Sequence, residues 1–319
     1  MTYINSIGEI SPQGNIEDGH FVCVEPVYSD IIHPLLLRHK SRILKIGMGA
    51  SAICINRLPE TATDAIIVGT GLACNADLKK FLDLILEGKE QSLPPTPFIY
   101  SSNNSVAAQI AMMHKITGYN NTFCHRGAAF EAALSDAMML LDEGEAQHVL
   151  VGGIDEYAPQ YHQMMNEIYK VENTVSAGEG AVFFILEKER RENTFAELKG
   201  VHSFLEINGC NIQFIKSEIS GFLKKHSLDA ADIDIFVSGK SGDCIIDGIY
   251  EELRRDYFRD AETVDFKHLC GEYMTSTSFA LALAARQLKE QKEKRALIFN
   301  HYNHYNHINY SVILLESLS

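Results

Sequence analysis

The residues with the most chemical reach are Cys124 and His125, at the end of the polar stretch NNTFCHRG and just ahead of an Ala-rich run. A thiol at a helix N-terminus meets free backbone N–H groups and the positive end of the helix dipole. Both lower its pKa and can hold an oxyanion. Adjacent residues rarely point at one another, so the competing expectation for Cys124 is a small buried hydrophobe. His301, His304 and His307 form a second candidate, spaced by three in NHYNHYNHINY. Imidazoles at that spacing in a loop before a strand could hold a metal, move protons or fill a polar pocket. No Cys or acidic ligand is built into the run. The seven cysteines include no CxxC pair, which points to reduced thiols rather than a disulfide framework or a zinc site.

These residues need elements to position them. From Asn120 to Gly153 the chain reads as a turn-like lead-in and an Ala-rich helix over Gly127 to Leu141. Gly144 ends the helix, and a buried strand, His148 to Val151, stops at Gly152–Gly153. Loop, helix and short buried strand make one unit of an α/β fold. Upstream, residues 2–14 predict a strand ending in a Ser-Pro-x-Gly turn, and residues 20–60 an irregular region with one helix near Asp30 to Lys40. Thr63–Thr70 reads as a buried strand. Asp77–Glu87 is amphipathic, with Leu78, Phe81, Leu82, Ile85 and Leu86 on one face. Leu93–Phe98 holds three prolines and reads as a loop. Ser102–Ile116 is a helix with a Met-containing stripe for core or interface, and Ser176–Glu187 a glycine turn and buried strand. The order then repeats, with a second Ala-rich helix over Thr275 to Leu288. Two similar βαβ-rich halves follow, residues 1–190 and 191–319, forming one compact unit.

Composition removes several function classes. A net charge of −14 argues against a nucleic-acid surface. No apolar run approaches the roughly 20 residues of a membrane span. The N-terminal MTYINSIGEISPQG has neither a basic n-region nor an apolar h-region, so a cytoplasmic location is expected.

Taken in order, the motifs resemble the β-ketoacyl synthases of the thiolase superfamily. YINSIGEISPQG is similar to the family's first strand, GEAQHVLVGG to its G-x-x-D-hydrophobic-GG strand, and SAGEGAVFFILE to its G-E-G-A strand. SGKSGDCIIDGIYEEL and KHLCGEYMTSTSFALA look like its H-G-T-x-T-x-x-G-D-x-x-E and K-x-x-x-G-H-x-x-x-A-x-G segments. NHYNHYNHINYSVILL stands where the family has N-S-F-G-F-G-G-x-N. The resemblance implies a thiolase-like α/β fold, two sheets layered with helices as αβαβα.

The departures matter as much as the matches. Ketosynthases use one Cys to carry the acyl chain and two His to decarboxylate the extender and stabilise the developing charge. By the resemblance, the Cys position falls on Gly127 and the His positions on Ser238 and Glu272, with Lys267 matching the family's lysine. Glycine cannot be acylated, and a carboxylate at Glu272 would repel the malonyl group and its enolate. Three losses imply a non-condensing subunit similar to the chain-length factors of type II polyketide and aryl polyene-type pathways. Such subunits pair with an active ketosynthase that an acyl carrier protein visits; a homodimer is the alternative. Helices around Ser102–Met113 and Phe130–Met139 would then face the partner. Cys124, Lys267, His301, His304 and His307 are expected to line the vacated pocket, with Glu179 and Asp243 in supporting roles. No cofactor or metal is expected. The rival reading is an acyltransferase or thioester hydrolase using Cys124 or the His301/His304/His307 cluster.

Overall fold

The computed structural model describes residues 1–89, 93–169, 175–207, 211–243, 246–304 and 307–318. The chain opens on β1 (Thr2–Ile10), a ribbon of β2 (Ile16–Glu17) and β3 (His20–Phe21), and helices α1 (Pro34–Leu37) and α2 (Arg42–Asn56). Next come β4 (Ala65–Gly69), α3 (Asn75–Leu86), α4 (Pro95–Tyr100), α5 (Ser105–His114) and β5 (Asn120–Phe123). α6 (Ala129–Glu143), β6 (His148–Asp155), α7 (Pro159–Tyr169) and β7 (Gly180–Glu187) follow. The remainder runs β8 (Ala196–Glu206), α8 (Ile212–Lys225), β9 (Ile235–Ser238), α9 (Asp247–Glu252) and β10 (Glu262–Asp265). It closes with α10 (Lys267–Cys270), α11 (Thr277–Lys289), β11 (Arg295–His304) and β12 (His307–Glu316).

Strand alternation sorts the core into layers. Along β4, Ala65 and Ile67 face α6 while Ile66 and Val68 face α2 and α5. Along β11, Ala296 and Ile298 face the same central helices while Leu297 and Phe299 face α8 and α9. Period-2 side chains with apolar residues at every position demand helices on both faces. The Ala-rich helices α6 and α11 form the middle layer, giving the expected αβαβα order. The two sheets are joined, however: β1 pairs with β8 over Thr2–Ile4, making one ten-stranded sheet, β10-β9-β11-β12-β8-β1-β7-β6-β4-β5.

Four expectations need correction. The region 20–60 contains α2, whose RILKIGMGASAICIN is buried along most of its length. An element apolar nearly all round carries little periodicity to read. Leu93–Phe98 is largely helical, because two of its prolines fall where a helix tolerates them, at or before its first position. β6 does not stop at the double glycine but continues to Asp155; Gly152 lies against the Phe183 ring, where a side chain would not fit. The described residues of the NHYNHYNHINY run lie on β11 and β12, which pair down to His304 and His307, rather than in a loop. The amphipathic helix expected over Asp77–Glu87 is present as α3, and it leaves Leu82 and Leu86 46% and 85% exposed.

Candidate functional site

The elbow between β5 and α6 is the tight turn the sequence implied. Cys124 and His125 lead into a 3-10 turn, Arg126–Ala128, before α6 begins at Ala129. Arg126 adopts φ +56°, a left-handed conformation that costs a non-glycine residue about 1 kcal/mol or more. Gly127 is buried and its φ is not positive, so backbone freedom does not explain the glycine. Close approach does. A Cβ placed on Gly127 would fall inside the Cβ and Cγ of Tyr302, closer than any real contact. The space into which a nucleophile's side chain would project is taken by that ring. Tyr302 comes from the far end of β11, carried there by the β11–β12 hairpin. Burial pushes its phenol well above the ordinary range, with Tyr161 of α7 adding to the rise.

One residue before the ring, His301 joins a buried polar network. Its Nδ1 lies 2.6 Å from the Tyr250 hydroxyl. Its carbonyl accepts from Lys267 Nζ at 3.2 Å, and the same ammonium donates to Glu272 Oε2 at 2.5 Å. Burial, with Lys267 adding, holds the His301 pKa well below 6.5, so the ring is neutral. Burial raises the Glu272 carboxyl, opposed by the Lys267 charge and hydrogen bond. Lys267 and Glu272 stand on the wall of a cavity of about 350 Å³ that also meets Lys240, Ser241 and Asp247. Neither Gly127 nor Cys124 is among its described lining residues.

Ser238 ends β9, buried, its Oγ accepting from the Lys240 N–H at 3.3 Å. The next residue, Gly239, abuts Asn300, the neighbour of His301. Thus Gly127, Ser238, Lys267, Glu272 and His301 converge around the end of β11. Cys124 sits aside, half-buried, its Sγ 3.6 Å from the Gly71 carbonyl. Burial and then Asp155 raise its thiol pKa, outweighing Arg126; an activated thiol needs the reverse. His307 pairs with His304 across the hairpin; the His304 side chain lies outside the described residues. Among the described residues no cluster of three or more His, Cys, Asp or Glu is arranged for a metal.

Sequence reasoning missed Asp155. Buried at the end of β6, it accepts from the Gly71 and Thr275 N–H groups at 2.7 and 3.0 Å and from the hydroxyls of Thr70 and Thr275. Burial raises it to about 6 against these donors. An acid two residues past a strand's double glycine was the available signal. Glu179, expected in a supporting role, is buried and holds Arg42 and the Cys23 and Tyr157 N–H groups.

A ten-stranded sheet, a helical middle layer and a turn feeding α6 define a thiolase-like fold with a ketosynthase-type elbow. The chain belongs to the β-ketoacyl synthase family: the family described as "Beta-ketoacyl synthase, N-terminal domain" matches residues 32–198, just over half of the sequence. No curated protein matches it. Among solved structures it is similar to the ishigamide ketosynthase/chain length factor, with 17% identity, TM-score 0.84 and 99% of both chains covered. It is also similar to the ketosynthase ApeO in complex with its chain length factor ApeC from Xenorhabdus doucetiae (13%, TM-score 0.79, 99% of this chain and 98% of that one). A third is AntDE:AntF, a type II PKS acyl-carrier protein in complex with its ketosynthase (14%, TM-score 0.75, 99% of both). At such identities these likenesses speak for the fold. Among the described residues no helix is long and apolar enough to cross a membrane.

Proposed function

We propose that this protein is a non-condensing ketosynthase-like subunit, similar to a chain-length factor, that pairs with an active ketosynthase. The carrying observation is Gly127 beneath Tyr302: the position that would bear the acyl thioester has no side chain and no room for one. The second support is Glu272. It places a carboxyl where the family resemblance calls for a hydrogen-bond donor, and it is already engaged with Lys267. Cys124 offers no substitute, because its surroundings favour the thiol over the thiolate.

The partner-facing side follows from what the chain leaves uncovered. α5 buries Val106, Ala107, Ile110 and Ala111 but exposes Met112 at 73%, and α6 exposes Met139 at 58%. β5 ends the sheet, and Tyr119 just ahead of it is 43% exposed. Apolar side chains beside an open sheet edge suit a protein interface. A ketosynthase of the same fold is the partner, and an acyl carrier protein delivers to that partner's cysteine.

The test is intact-protein mass spectrometry after incubation with acyl-loaded carrier protein, with and without a co-expressed ketosynthase. The expected result is a heterodimer in which the partner alone gains the acyl mass. Acyl mass on this chain, lost in Cys124→Ala, would make it an acyltransferase or hydrolase instead.

A further inference from the structure

Three half-buried rings join α7 to the β2–β3 ribbon. Tyr157, in the link from β6 to α7, stacks with two imidazoles. His20 of β3 lies 3.9 Å from it between ring centroids and 20° from parallel. His162 of α7 lies at 5.0 Å and 28°. Among the described residues the two imidazoles meet through Tyr157 rather than touching each other. The ribbon end is fixed: the Phe21 N–H donates to the Ala177 carbonyl at 2.8 Å, and the Phe21 ring lines the cavity that Lys267 and Glu272 border.

The surroundings of His162 favour a neutral ring. It stands in the first turn of α7, where free N–H groups and the helix dipole oppose a positive charge. Burial, and then the charge of His20, lower its pKa. One phenol ring offers little to two cations, which would repel each other through it. No carboxylate answers the charge. Glu167, on the same helix, accepts from Gln163 at 2.9 Å. Glu179 accepts from the Tyr157 N–H at 3.0 Å and from Arg42 at 2.6 Å. Glu156, next to Tyr157 in the link, is raised to about 7 by burial, and a raised carboxyl tightens the fold as pH falls, the opposite sign. Tyr161, edge-on to His162 at 5.8 Å, adds to the rise of the Tyr302 phenol.

We propose that the His20–Tyr157–His162 stack is an acid-sensitive clasp: with neutral rings it holds α7 to the β2–β3 ribbon, and protonation of His162 releases α7. Such a clasp is independent of whether the chain condenses. A released His162 takes a proton near its ordinary 6.5, while the stacked ring resists. The clasp is therefore intact above that pH and weakens as pH falls through it.

Hydrogen exchange of the α7 amides in the full chain, corrected for intrinsic rates and read against α11, tests this. From pH 7.5 to pH 5.5 wild type is expected to lose about fivefold in protection of α7. His162→Phe keeps a ring in the stack but takes no proton, and should abolish that loss. Tyr157→Leu removes the middle ring, so α7 should exchange fast already at pH 7.5 and change little on acidification. Unchanged protection in wild type overturns the proposal, and so does the wild-type loss persisting in either variant. Should both variants fail to fold, the imidazole shifts of His162 in wild type decide. A titration midpoint below 6.5 supports the clasp, and one at or above 6.5 overturns it.

Discussion

Two neighbouring parts of one site differ in how they are filled. At Gly127 the space is closed by an aromatic ring. At Lys267 and Glu272, held through the carbonyl of the residue before that ring, it stays charged and borders a cavity of about 350 Å³. The difference follows from what each loss leaves behind. Removing a nucleophile's side chain leaves a hole, and a close-packed interior fills it with whatever ring is near. Removing one member of a buried ion pair leaves an uncompensated charge, so the pair survives only as a pair. On the proposed reading, the elbow would record lost chemistry and the Lys267–Glu272 wall structural need.

The largest expected effect tests the second half of that contrast. Lys267 is 2% exposed at its side chain and Glu272 19%, so Lys267→Met should cost about 3–5 kcal/mol in urea unfolding at pH 7. Glu272 is already raised by burial, and without Lys267 it rises further. Its protonation at lower pH then relieves the cost, so the loss should be smaller at pH 5 than at pH 8. A cost under about 1 kcal/mol at both would mean that solvent screens the pair, and the contrast with the elbow would fail.

The elbow itself gives the next effect. Gly127→Cys forces a side chain into the Tyr302 ring and should cost about 1–3 kcal/mol by overpacking, with no gain of acyl mass. Tyr302→Ala alone also destabilises, by opening a cavity. The double variant should be more stable than the sum of the singles predicts, by about 1 kcal/mol or more in a double-mutant cycle. Additive costs would show that Tyr302 does not occupy the nucleophile's space.

His301 bridges the two regions, and its expected effect is smaller. His301→Gln keeps a partner for Tyr250 and should cost about 1 kcal/mol at pH 7. Folded His301 resists protonation while the unfolded ring takes a proton near 6.5. Wild type therefore loses stability as pH falls below that value, and the gap to the variant should narrow by pH 5.

How much of this was readable beforehand depended on whether the information was local. Continuous apolar runs announced β4 and β7, and the alanines of α6 and α11 marked helices that pack tightly between sheets. The family resemblance put a glycine at the elbow. α2 escaped because nearly all of its surface is covered, which leaves no polar face to set the period. The leucines of α3 were read as a face, but a pattern does not say whether this chain covers it. From the sequence, NHYNHYNHINY is expected to fill a vacated pocket through its histidines, and the residue that abuts the elbow is Tyr302. That it is Tyr302 required the hairpin register, set by β12 and unknown to the elbow's own sequence. Asp155 collects donors from two loops distant in sequence, and no local pattern announces that.

The smallest effect separates the two functional readings most cleanly. Cys124 is only half-buried, and its Sγ makes one long contact with the Gly71 carbonyl. Cys124→Ala removes little packing and should change stability by no more than about 1 kcal/mol. Its thiol is raised rather than lowered, by burial and by Asp155, so slow alkylation near neutral pH is expected, quickening as pH rises above the ordinary thiol range. Fast alkylation at pH 7 would mean that the helix end and Arg126 outweigh Asp155. The elbow would then still hold a working nucleophile, three residues ahead of the position that Tyr302 covers. Slow alkylation, with an unchanged product profile when Cys124→Ala is paired with its ketosynthase, leaves the partner's cysteine to carry the chemistry.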